Sequence, residues 1–240
     1  PGLDDTLAAL EGAGVASVGA GETLPAAQAP VVFDHGPQGR LICFAMGSGS
    51  SGIPAEWAAE IDRAGVWRMD EAAERAVAAV AEQVAAIKQD GDVVMASVHW
   101  GGNWGYAIPE AQRRFAHGLI DHAGVDLIHG HSSHHPKGLE VYRDRLVLYG
   151  CGDFLNDYEG IGGEAAYRPE LTLMYFPELA AGSGRLTGLA LRPMRVRRFR
   201  LQDADEGEAR WLLERMNREG EGLGTAFTRA PDGTFHLQTG

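Results

Sequence analysis

Apolar residues recur at intervals of three and four through Val77, Val80, Ala81, Val84 and Ile87. This spacing predicts a helix over 70–89, ended by Gly91. The run Asp92–Val98 that follows is continuous and rich in β-branched residues, the pattern of a strand buried on both faces. Pro109 opens a second helix through Ala123, with Phe115, Leu119 and Ile120 as its core face, and Val125–His129 is another short buried strand. Helix, strand, helix, strand makes a crossover unit, a sheet covered by helices.

Upstream, residues 1–14 read as a helix with Leu3, Leu7 and Leu10 on one face and Gly12 and Gly14 at its end. A chain that opens inside such an element reads as part of a longer one. Val15–Gly19 is a short strand candidate, and 22–28 a small helix. Pro30–Asp34 and Arg40–Met46 flank a turn-rich segment and predict a hairpin; Gly47–Pro54 is a loop. Downstream, Leu139–Arg143 and Arg145–Gly150 predict a tight hairpin around Asp144. Leu171–Phe176 and Leu186–Arg200 are further strands, with a turn at 182–184. Residues 203–219 form a last amphipathic helix carrying Trp211, Leu212, Arg215 and Met216, and 223–240 is a weakly patterned tail with room for a final short hairpin. The run Arg192–Arg200, with five arginines in nine residues, reads as the solvated edge of a sheet. The economical architecture is one α/β domain with a mixed, partly antiparallel sheet.

Composition narrows the function. The 240 residues carry a formal net charge of −12, which argues against nucleic acid as a partner, because phosphate backbones bind basic faces. No run approaches the length of a membrane-spanning helix. Cys43 and Cys151 are too few for a disulfide framework, and the compartment stays open.

Two strand ends concentrate the chemistry. One is Val98-His99-Trp100-Gly101-Gly102; the other is Ile128 followed by His129, Gly130, His131, Ser132, Ser133, His134 and His135. Ligands of open α/β sheets collect outside the carboxyl ends of strands. Imidazole is the commonest side-chain ligand for Zn, Fe, Mn or Ni, and Gly130 allows the backbone to turn so that His131 and His134 point into one cleft. His129 belongs to the strand, and His135, before Pro136, stands beside the ligands. A third segment, Gly150–Tyr158, supplies Asp153, Asn156 and Asp157, whose oxygens can bind a metal or hold a ligand in place. Cys151, near the histidines, is a competing nucleophile, whereas Cys43 sits mid-strand as a core residue. The loop Gly47–Gly52 resembles a phosphate cradle only in composition, since it lacks the lysine of a P-loop.

At GLDDTLAALEGAGVASVGAG (2–21), DVVMASVHWGGNWGY (92–106), AQRRFAHGLIDHAGVDLIHGHSSHHPKGLEVY (111–142) and LVLYGCGDFLNDYEGI (146–161) the sequence resembles the CapA family of poly-γ-glutamate capsule biosynthesis proteins, a branch of the calcineurin-like metallophosphoesterases. The resemblance implies a four-layer α/β/β/α sandwich with mixed sheets. It makes residues 1–240 a single domain lacking its N-terminal part, with a core over 2–200 and a C-terminal helix and tail over 201–240. It assigns His99, His131 and His134 as metal ligands; beside them, the residues themselves make Asp153 and Asn156 the groups that hold a ligand or position the substrate. Divalent ions, a two-metal centre in the complete protein, are the implied cofactor, and Mn, Fe, Zn and Ca are not distinguished. The family's upstream Gly-Asp and Asn-Asn-His motifs do not appear, so weak metal binding is expected of residues 1–240 alone. Where many relatives carry Gly-Asn-Phe, this chain has Gly152-Asp153-Phe154. The implied function is a CapA-like, metal-dependent hydrolase of a phosphoester or a γ-glutamyl polymer, with capsule-synthesis partners, in the bacterial cytoplasm or cell envelope. The alternative is a non-catalytic accessory protein with a vestigial metal site.

Overall fold

Residues 2–70, 74–156 and 164–238 are described by a computed structural model. The chain divides into two units, the first of residues 1–101, 109–128 and 181–184, the second of 102–108, 129–180 and 185–240.

In the first unit, α1 (Gly2–Gly12) keeps Leu3, Leu7 and Leu10 half-buried along one face. The strand expected at Val15–Gly19 is absent. It is replaced by the two-residue β1 (Ala20–Gly21), because a β-prone run becomes a strand only where a partner lies alongside. Thr23 caps α2 (Leu24–Gln28), its hydroxyl accepting the Ala26 N–H at 3.3 Å. β2 (Val31–Asp34) and β3 (Arg40–Ser48) form the expected antiparallel hairpin, with Val31 opposite Cys43. β4 (Gly65–Val66) pairs with β1, and β5 (Arg68–Met69) runs parallel to β3.

The expected helix over 70–89 is α3 (Glu74–Ile87), which buries Ala76, Val80 and Val84. β6 (Val93–His99) lies parallel to β3 and sets His99 beside Gly47. It corrects one expectation. Val94, Ala96 and Val98 are fully buried, while Val93, Met95, Ser97 and His99 are half-buried, so the pleat closes one face and leaves the other part open. α4 (Glu110–Ala123) buries Gln112, Phe115, Ala116, Leu119 and Ala123; Ile120 is only half-buried. Its last carbonyls are closed by Gly124 in the left-handed conformation. β7 (Leu127–His131) carries the chain from the first unit into the second.

The second unit opens with β8 (Leu139–Tyr142) and β9 (Arg145–Leu148), an antiparallel hairpin. Arg143 and Asp144 at its tip both have positive φ, 49° and 61°, the requirement of a two-residue type I′ turn. β10 (Leu171–Leu179) and β11 (Leu186–Arg197) pair along their length. The strand expected over Leu186–Arg200 is broken by a second two-residue turn. Arg198 and Phe199 are both left-handed, and β12 (Arg200–Asp203) folds back on β11. β11 also pairs with a later strand and is therefore interior, not an edge, although Arg192, Arg197, Arg198 and Arg200 stay exposed as expected. Arg195 is held by the buried Glu208 at 2.9 Å, and Arg192 by Asp203 at 2.7 Å. α5 (Glu206–Gly220) starts from a reciprocal capping box between Asp205 and Glu208. β13 (Phe227–Arg229) and β14 (Phe235–Leu237) form the final hairpin and bury Phe227 and Phe235. Mixed and antiparallel sheets with five helices among the described residues make this an α/β fold.

Candidate metal centre

The β8–β9 hairpin builds the centre of the site. Its ladder pairs Leu139 with Leu148, and the same register continues to the bridge between Pro136 and Cys151. Two residues beyond that bridge on each side, outside the ladder, stand His134 and Asp153. The side chains meet there: His134 Nδ1 lies 3.0 Å from Asp153 Oδ1 and 2.9 Å from Oδ2. The Asn156 amide donates to Asp153 Oδ2 at 3.2 Å. Gly152 is needed for the approach. It has φ 75°, and a Cβ there would sit 3.1 Å from the His135 carbonyl carbon and the Pro136 ring. Asp157, singled out with these residues, lies outside the described residues.

A carboxylate accepting at Nδ1 fixes the tautomer: the proton is on Nδ1 and the lone pair on Nε2. His129 and His131 leave the end of β7 on one face, with ring centroids 5.3 Å apart, and burial lowers the pKa of His129, favouring its neutral form. His135 is not beside the ligands as a polar helper but inside the core. It is fully buried, donates Nδ1–H to the Pro136 carbonyl at 3.1 Å, and is pushed down to about 4 by desolvation, so it stays neutral at pH 7. Burial raises the thiol of the half-buried Cys151 to about 12, which disfavours a thiolate nucleophile at neutral pH. Cys43 is a core thiol on β3, as expected.

His99 stands in the first unit, and His131, His134, Asp153 and Asn156 in the second. The loop Gly47–Gly52, which reads as ordinary in the sequence, fastens the backbone around His99. Ser51 Oγ donates to the His99 carbonyl at 3.1 Å, and Ser50 Oγ accepts the Gly101 N–H at 2.8 Å. Nothing in its composition beyond the serines signals this. The residues packed around His134 and His135, namely Trp104, Tyr106 and Tyr167, are also missed by sequence reasoning, because they converge from distant segments.

The donor chemistry at His134, an imidazole oriented by a carboxylate, suits a divalent ion of the Zn, Mn or Fe type. Among the described residues, no group of three or more His, Cys, Asp or Glu could hold a metal ion. His134 with Asp153 therefore offers one ligand position, not a complete coordination set. No helix among the described residues is long and apolar enough to cross a membrane.

The chain is similar to known proteins. It is 47% identical over 237 residues to the probable polyglutamine synthesis accessory protein of Mycobacterium tuberculosis, covering 98% of this chain and 62% of that relative. It thus spans less than two thirds of the length of that relative. Over 70 residues, 29% of this chain, it is 34% identical to the PGA biosynthesis protein CapA of Bacillus subtilis, covering 18% of it. The capsule biosynthesis protein CapA of Bacillus anthracis is 31% identical over 70 residues, 29% of this chain and 17% of that protein. The family model described as bacterial capsule synthesis protein PGA_cap matches residues 1–158, a stretch that holds the β6 and β7 strand ends, the histidine turn and the hairpin carrying Asp153. The chain belongs to this family of bacterial capsule synthesis proteins.

Proposed function

We propose that the protein is a CapA-like, metal-dependent hydrolase serving polyglutamate capsule synthesis, with His134 as a metal ligand. The observation that carries this reading is the linked set His134, Asp153 and Asn156. Proteins orient metal-binding imidazoles by giving the distal ring N–H to a carboxylate, which is itself hydrogen-bonded. Asp153 keeps the proton on Nδ1, and Asn156 holds the Asp153 rotamer. A divalent ion held at Nε2 would supply Lewis acidity toward a phosphoryl or carbonyl oxygen. The substrate class is a phosphoester or a γ-glutamyl amide, and the partners are components of capsule synthesis.

A second reading, a non-catalytic accessory protein with a vestigial site, is favoured by the lack of a three-donor group among the described residues. It also agrees with the accessory role in the name of the mycobacterial relative. The two readings separate in an assay of the protein extended to the length of its relatives and loaded in turn with Mn, Fe, Zn and Ca. The substrates are p-nitrophenyl phosphate and a γ-glutamyl oligomer. Turnover that disappears with EDTA and in His134→Ala is the expected result. Absence of turnover with either substrate, whether or not metal is taken up, overturns the hydrolase and supports the accessory reading.

A further inference from the structure

The segment Gly102–Ile108 reaches the histidine turn at two points. The Asn103 carbonyl accepts the His134 N–H at 3.0 Å. The Trp104 ring lies 5.4 Å from the His134 ring, tilted by 43°, and 6.2 Å from the His135 ring, nearly parallel at 11°. Behind these contacts is a cluster with little freedom. His135 is fully buried and tied to the Pro136 carbonyl. Tyr167 stacks on it at 4.6 Å and also meets Trp104 at 5.7 Å. Tyr106 meets His135 edge-on at 4.6 Å, and the Arg215 guanidinium covers Tyr106 at 4.3 Å. Arg215 is in turn paired with Glu219 at 3.0 Å.

A hydrogen bond at one edge of an imidazole fixes the tautomer but lets the ring rock about that bond. A second ring packed against it removes the remaining freedom, and an aromatic neighbour also keeps water from competing for the carboxylate. We propose that Trp104 is a positioning residue for His134. It transmits the rigidity of the stack of buried His135 on half-buried Tyr167 to the His134 ring, so that Nδ1–H stays on Asp153 and Nε2 keeps one direction. The consequence for metal binding rests on the function proposed above; the positioning does not, and it is open to test without metal.

The test uses Trp104→Ala, Trp104→Leu and Trp104→Phe in this chain, with circular dichroism and urea unfolding to establish that each is folded. In the metal-free proteins, ¹⁵N NMR reads the His134 Nδ1–H proton. It is expected to exchange slowly in the parent and in Trp104→Phe, and to be lost to solvent exchange in Trp104→Ala and Trp104→Leu. The leucine variant carries the comparison if the alanine variant does not fold. In a second arm, Co²⁺ is titrated and its visible absorption recorded. Affinity is expected to fall by roughly 10-fold in the alanine and leucine variants, the range for losing a group that orients a ligand. The phenylalanine variant should restore it. A His134 proton equally persistent in a folded alanine or leucine variant overturns the positioning, whatever Co²⁺ does. A proton that behaves as expected in a parent that takes up no Co²⁺ leaves the positioning standing and counts against His134 as a metal ligand.

Discussion

Replacing Asp153 with alanine is expected to weaken divalent-metal binding by roughly 10–100-fold, the usual loss when the partner that orients a ligand is removed. Both carboxylate oxygens lie within 3.0 Å of His134 Nδ1, so the variant leaves that N–H without its acceptor and the ring without its anchor. The fold should survive, since Asp153 leaves the hairpin end and supports no strand ladder beyond it. Asp153→Asn should be milder. An asparagine oxygen in the place of Oδ2 can still accept from both His134 and Asn156, and only the negative charge and the second oxygen are lost. A metal titration of both variants beside the parent, with circular dichroism, makes the measurement. Equal affinity in all three would reduce Asp153 to a turn residue.

The largest effect on stability is expected at Asp92, where β6 begins. Its carboxylate accepts from Arg40 Nε at 3.0 Å, from Arg40 Nη2 at 2.5 Å and from the Gln89 N–H at 2.8 Å, with only 3% of its side chain exposed. Arg40 Nη2 also donates to the Ile87 carbonyl at 2.8 Å, so one guanidinium joins the start of β3 to the end of α3. Asp92→Ala leaves a guanidinium and a backbone N–H without their acceptor, at a cost of about 2–4 kcal/mol by urea unfolding. The Arg40 hydrogen bond holds the Asp92 carboxyl below the usual carboxylate range. The unfolded chain therefore takes up this proton more readily than the folded one. The stability contributed by Asp92 is complete above an unfolded value of about 3.9 and is lost as pH falls from there through the lower folded value. A pH series in which the parent and Asp92→Ala lose stability in parallel below that point would contradict this.

The long helices were legible because their periodicity is local. α3 and α4 appear where the three-and-four spacing places them, and Gly124 closes α4. The start of α5 is also written in the chain, as Asp205 with Glu208 three residues on, which sets the helix start at Glu206 and not at 203. The break at Arg198-Phe199 was not legible, because neither residue type favours positive φ; pairing of β12 with β11 holds them there. In the site, the histidine spacing pointed to His134, and the Gly-rich turn to Asp153. Their contact was implicit in the hairpin around Asp144, once its pairing is carried past the strand ends. The packing of Trp104 and Tyr167 was beyond reach, since it depends on tertiary proximity that no local pattern encodes.

That hairpin also determines which changes in chain length the site can absorb. A residue added at the tip, between Arg143 and Asp144, enlarges a surface turn and leaves the paired positions on either side as they are. A residue added after Tyr149 lies between the ladder and Asp153. It shifts every later residue by one place relative to the bridge between Pro136 and Cys151, so the carboxylate no longer meets His134. The His134 Nδ1–H proton is therefore expected to persist in the first insertion and vanish in the second, although the two lie on one short hairpin; equal persistence in both would show that the dyad is held without the ladder.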